Sequence, residues 1–135
     1  MFTACYGLVK AYIPAGITTI KTQFCRNCWN LIDIEIPNSV TTIESYAFQN
    51  CYCLHKIIVP SGVTSIEANA FNNAKPIYFV FQSTTPPTLA ATSALSGTGS
   101  GPIYVPSESV NAYKTASNWS SYASRIEAIP EGLLD

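Results

Sequence analysis

Charge is scarce in this 135-residue chain: only 11% of its residues are Asp, Glu, Lys or Arg, against about a quarter in an ordinary soluble domain. The seven cations and eight anions leave a net charge of -1. That balance excludes the clustered Lys and Arg by which proteins grip nucleic-acid phosphates, so no nucleic-acid partner is expected. No apolar run approaches the roughly 18 residues that cross a bilayer, so no membrane insertion is expected either. The opening MFTACYGLVKAYIP has no basic start followed by a continuous apolar segment, and no secretory signal is expected from it. With a single histidine, no metal site can draw on a His pair.

Apolar residues make up 47% of the chain and cysteines number five. An odd count at this density would mean bridges plus a spare thiol in a secreted protein. The cysteine positions point elsewhere, because the chain repeats. Rows of twenty-three residues read CYGLVKAYIPAGITTIKTQFCRN, CWNLIDIEIPNSVTTIESYAFQN and CYCLHKIIVPSGVTSIEANAFNN, with no insertion or deletion between them. Cys5, Cys28 and Cys51 align, as do Leu8, Leu31 and Leu54, Pro14, Pro37 and Pro60, and Ile20, Ile43 and Ile66. The leading MFTA fits the end of a truncated repeat, with Phe2 in register with Phe48 and Phe71.

A period in the twenties headed by Leu-x-x-apolar-x-apolar is the pattern of a leucine-rich solenoid. Each turn then supplies a short strand to a parallel sheet, and residues one period apart stack. Leu31, Ile34 and Ile36 point inward and alternate residues outward. Pro37 ends the strand because it cannot donate to a ladder. Val40, Ile43, Ala47 and Phe48 return along the opposite wall. One turn cannot bury its own apolar face, so its neighbours must.

The rows resemble the BspA-type leucine-rich repeats of bacterial surface proteins, whose unit reads C-x-x-L-x-x-I-x-I-P-x-x-V-x-x-I-x-x-x-A-F-x-x-C. The second row matches from Cys28 through Ile36, Pro37, Val40, Ile43, Ala47 and Phe48 to Cys51; in the third, Ala74 replaces the closing Cys. The first carries Phe24 and Cys25 where Ala47 and Phe48 stand. The resemblance implies a right-handed solenoid, mainly β with short helices, and roles in adhesion or protein recognition at cell surfaces. It implies no catalytic residues and no cofactor. Repeats are expected over residues 1–74, with residues 75–135 forming the last strand, a loop and a C-terminal α/β cap of the same domain.

In the latter part, IYFVF (residues 77–81) is expected as a fourth strand, with Ile77 in register with Leu54 and Val80 with Ile57. Residues 83–101, rich in Gly, Ser, Thr and Pro, read as loop. IYV (Ile103–Val105) reads as a strand. Ser107 is a candidate N-cap for a helix bearing Val110 and Tyr113. Asn118 is a candidate cap for a second helical turn with Trp119, Tyr122 and Ile126 on one face. Terminal caps cover the last turn of a solenoid, and these aromatics form the expected lid. At the other end, Met1 and Phe2 enter mid-repeat, so an apolar cross-section is open to self-association.

Several groups invite chemistry. Cys25-x-x-Cys28 and Cys51-x-Cys53 have zinc-like spacing, but Cys28 and Cys51 fall at an inward position, where free Cys acts as a small core residue. His55 near Cys53 lacks the third member of a triad and is expected on the sheet surface. Glu44 and Glu67 share a repeat position and stack on the return wall. Asn118-Trp119-Ser120 matches a glycosylation sequon.

The informative set is the outward face of the strands. A strict period of twenty-three puts Lys10, Asp33, Lys56 and Phe79 in one row and Tyr12, Glu35, Ile58 and Phe81 in the next, with His55 beside them. Lys-Asp-Lys suits a parallel ladder, whereas large exposed apolar residues mark a contact site. The alternative is that the C-terminal loop folds over Phe79 and Phe81. The expected function is a non-enzymatic recognition or adhesion module that binds a host protein or its own copies. A structural assembly subunit, such as a phage virion or decoration protein, is the alternative. The first implies a cell-surface or extracellular location as part of a longer protein, the second a virion or cytoplasmic one with Met1 as the native start.

Overall fold

The computed structural model describes residues 5–135. The expectations resting on Met1 and Phe2 lie outside these residues. Ten short strands alternate between two walls. The first wall holds β1 (Lys10–Tyr12), β3 (Asp33–Glu35), β5 (Lys56–Val59), β7 (Tyr78–Phe81), β9 (Ile103–Val105) and β10 (Ile126–Ala128). The second holds β2 (Thr19–Ile20), β4 (Thr42–Ile43), β6 (Ser65–Ile66) and β8 (Thr88–Leu89). All pairings are parallel. The second wall is continuous, whereas the first divides into β1–β3 and β5–β7–β9–β10.

Stacking follows the repeat. Ile20, Ile43 and Ile66 align on the second wall, each buried, and Ala11 aligns with Ile34 on the first. After each of the first three strands of the first wall the repeated proline opens a turn: the carbonyls of Pro14, Pro37 and Pro60 accept from the N–H groups of Ile17, Val40 and Val63. Two further corners per turn need left-handed backbone. Gln23, Tyr46 and Asn69 occupy one, at φ 61° to 63°, and Asn27, Asn50 and Asn73 the other, at φ 60° to 62°. Asn tolerates that region best among residues with a side chain, and here its amide is also used. Asn50 Nδ2 donates to Asn27 Oδ1 at 2.7 Å, and Asn73 Nδ2 to Asn50 Oδ1 at 3.2 Å. Gly97 (φ 71°) ends this amide stack, since a Cβ there would collide with the Asn73 side chain.

The fourth turn departs from the strict period. Lys56 pairs with Tyr78, Ile57 with Phe79, Ile58 with Val80 and Val59 with Phe81. The offset is one residue short because two residues, Lys75 and Pro76, replace the three between Cys51 and His55. In a strand a one-residue slip exchanges the two faces. Phe79 and Phe81 are therefore inside the core, both fully buried, and Ile77 is exposed rather than matching Leu54. Residues 82–87 add the missing residue back, so Ile66 aligns with Leu89 at the original offset. The stretch expected as loop thus contributes β8 and a 3-10 turn (Thr92–Leu95) to the stack.

The aromatic core continues into the cap. Phe48 stacks on Phe71 at 5.4 Å, Phe71 meets Phe79 edge-on at 5.6 Å, and Phe81 meets Trp119 edge-on at 4.8 Å. Trp119 and Tyr113 are fully buried, as expected of a lid. Their polar ends are satisfied: Trp119 Nε1 donates to the Pro87 carbonyl at 2.7 Å and Tyr113 Oη to the Ser83 carbonyl at 2.6 Å. The expected caps act differently. The helix α1 (Val110–Thr115) follows a 3-10 turn (Ser107–Ser109) with no side-chain cap bond, and Ser109 Oγ reaches the Thr84 carbonyl instead. Asn118 adopts φ 66° and donates Nδ2 to the Leu89 carbonyl at 2.7 Å, which covers part of the β8 edge. Ile126 starts a strand, β10, rather than sharing a helical face with Trp119.

Asn50 offers a test of the corner. Asn50→Gly removes the amide bonds but keeps the left-handed backbone free of strain, whereas Asn50→Ala loses both. In urea denaturation Asn50→Ala is expected to be about 1 kcal/mol less stable than Asn50→Gly. Equal stabilities would show that backbone strain does not constrain this corner.

Candidate functional site

The outward residues of the first three turns converge where the first wall divides. β3 and β5 belong to separate ladders and are tied by the His55 N–H to the Ile32 carbonyl at 3.1 Å. Beside this parting lies a groove of about 750 Å³ lined by Tyr12, Asp33, Glu35, His55, Lys56 and Ile58, among others. The structure thus brings six of the nine expected face residues together. Lys10 borders them: its Nζ lies 3.7 Å from Asp33 Oδ2 and 5.3 Å from the Tyr12 ring centroid. Tyr12, and then Asp33, raise the pKa of the Lys10 ammonium. Both partners of this ion pair are exposed, so it orders the face more than it stabilises the fold.

Phe79 and Phe81 do not belong to this face. Tyr78 and Val80 occupy the outward positions of β7 instead. Tyr78 is half-buried with its ring 5.7 Å from that of Tyr104, and Val80 is fully buried. The exposed surface fades toward the cap, and its open part belongs to the first three turns.

One surface feature lies outside the strand face expected from the sequence. Tyr6, Trp29 and Tyr52 are spaced by twenty-three and lie one turn apart, with ring centroids at 4.4 and 6.3 Å. All three are more than two-fifths exposed. Their shared position in the repeat, a few residues before each strand, is the sequence signal that marks them.

The groups with chemical promise serve the fold. Cys25, Cys28 and Cys51 are fully buried, and Cys51 Sγ–H donates to the Cys25 carbonyl at 3.0 Å. Cys53 is exposed, so the Cys51–Cys53 pair is split between interior and surface while Cys25 and Cys28 are both buried. Among the described residues no group of three or more His, Cys, Asp or Glu is arranged to hold a metal. Burial pushes the Cys51 thiol up to about 12 and raises Cys25 further, which holds both as inert thiols at neutral pH. Glu44 Oε1 accepts from the N–H and hydroxyl of Thr22, and Glu67 Oε1 from those of Ser45, so each carboxylate clamps the preceding turn.

A family profile described as BspA type leucine rich repeat region matches residues 1–88, in six copies. The chain belongs to this family of leucine-rich-repeat proteins. A search of curated proteins returned no match. Family membership makes the chain a protein-interaction or surface repeat module, of a kind generally non-enzymatic and typically surface-associated. No helix among the described residues is long and apolar enough to cross a membrane.

The buried thiols generate a pH prediction. Their pKa values are raised on folding, so the stability they contribute is complete below the unfolded value of 9.0 and is lost as pH rises toward about 12. Each fully buried thiol should cost about 1.4 kcal/mol per pH unit above that unfolded value. Chemical denaturation at pH 7.5 and 10.5 should show a marked loss at the higher pH, and Cys51→Ala should reduce its slope. An unchanged slope would show that Cys51 ionises as readily folded as unfolded.

Proposed function

We propose that the chain is a protein-recognition and adhesion module of a surface-type leucine-rich-repeat protein. In this reading its turns form a right-handed solenoid that continues through β8, with the C-terminal segment around Tyr113 and Trp119 as its cap. Tyr12, Glu35 and Ile58 do the binding. The observation that carries the reading is the groove at the parting of β3 and β5. An aromatic ring, aliphatic surface and charges of both signs line that groove, a composition that suits a protein contact better than a small charged substrate.

One observation favours the second reading, a structural assembly subunit such as a phage virion or decoration protein: the exposed Tyr6–Trp29–Tyr52 stack, which suits repeated contacts between copies.

Tyr12 is 66% exposed and Ile58 half-buried, so both can be truncated at small cost to the fold. The variant Tyr12→Ala with Ile58→Ala is expected to keep its unfolding free energy within about 1 kcal/mol of the parent chain's, about 0.5 kcal/mol per surface change. It should lose at least about tenfold in affinity for a partner protein captured by the parent chain, measured by interferometry. Unchanged affinity would place the binding face elsewhere.

A further inference from the structure

Among the described residues, the large exposed apolar side chains other than Tyr12 and Leu134 lie along one strip: Tyr6, Val9, Trp29, Ile32, Tyr52 and Ile77. They precede or open the strands of successive turns, so stacking lines them up. A second groove, of about 550 Å³, runs beside Tyr52 and Ile77. His55 and Lys75 border it, and no carboxylate does. The single salt bridge among the described residues joins Lys10 to Asp33, which leaves Lys75 without an ion-pair partner. An apolar strip of this extent ordinarily has an occupant, and here the occupant should be apolar and acidic.

The chain itself carries such a segment. Residues 130–135, Pro-Glu-Gly-Leu-Leu-Asp, follow β10 in a turn that leaves Leu134 44% exposed and both Glu131 and Asp135 exposed. Neither carboxylate is in a salt bridge. Two surfaces of opposite charge, each with exposed apolar side chains, thus lie on different parts of one molecule.

We propose that residues 130–135 of one copy dock on this strip of a second copy, with Leu134 against Tyr52 and Ile77, and Glu131 and Asp135 facing Lys75. The contact joins two different patches, so it is heterologous and propagates copy by copy unless its rotation closes a ring. It uses neither Tyr12 nor Ile58 and does not rest on the recognition groove.

Sedimentation velocity of the full chain over rising concentration tests this. Mass beyond the monomer should appear. Lys75→Glu, or Glu131→Lys with Asp135→Lys, should each move the midpoint to at least about tenfold higher concentration, because like charges then meet at the contact. Combining all three substitutions should restore association. Cys53, which lines the second groove and is exposed, should be alkylated more slowly in the assembled protein. A chain that stays monomeric, assembly that ignores the charge reversals, or a combined variant that fails to recover would each overturn the proposal. The Tyr12→Ala, Ile58→Ala variant should assemble normally, so loss of partner binding and loss of assembly are separate outcomes.

Discussion

Hydrogen bonds between turns are the constraint on which the rest of this structure depends. On the second wall the N–H groups of Thr41, Thr64 and Thr88 donate in succession to the carbonyls of Thr18, Thr41 and Thr64, at 2.8 to 2.9 Å. The N–H groups of Glu44, Glu67 and Ala90 do the same toward Ile20, Ile43 and Ile66, at 2.9 to 3.0 Å. Once these bonds set the register, strand alternation decides which side chains enter the core. Side chains then reinforce the register where it turns: Asn27, Asn50 and Asn73 bond one to the next, and Glu44 and Glu67 each hold the turn before them.

The same constraint explains where variation is tolerated. The fourth turn is one residue short between Ala74 and Ile77, and residues 82–87 add one residue. Both changes fall between strands, so the second wall continues while the first exchanges its faces. The exchange turns Phe79 and Phe81 inward, where Phe79 packs on Phe71 and Phe81 meets Trp119 and Tyr113, which gives the cap an aromatic surface to cover. It also removes two large apolar residues from the outer face and confines the open surface to the earlier turns. The core that supports the cap and the extent of the candidate binding face thus follow from one short turn.

The period, the inward isoleucines, the buried cysteines and the lid of Trp119 and Tyr113 were all legible in the sequence, because each is a repeated or strongly amphipathic signal. The direction of β7 was not. Four consecutive large residues, Tyr78 to Phe81, show no alternation, and a strict period assigned them to the wrong faces; only the pairing with Lys56–Val59 decides. The residues 83–101 hid β8 and a 3-10 turn because Pro86, Pro87 and three glycines dominate their composition, while the bonds that order them come from the distant Tyr113, Asn118 and Trp119. At the candidate site, the membership of Tyr12, Asp33, Glu35, His55, Lys56 and Ile58 could be read from stacking. The groove could not, since it arises where β3 and β5 part.

Hydroxyl-radical footprinting of the unaltered protein, read by mass spectrometry residue by residue, tests the register of the fourth turn most directly. Tyr12, Trp29 and Tyr52 should be oxidised rapidly and Tyr78 at an intermediate rate, while Phe79, Phe81, Tyr113 and Trp119 are protected until the protein unfolds. Oxidation of Phe79 and Phe81 at rates comparable with Tyr12, with Tyr78 protected, would contradict the one-residue slip and return both phenylalanines to the outer face.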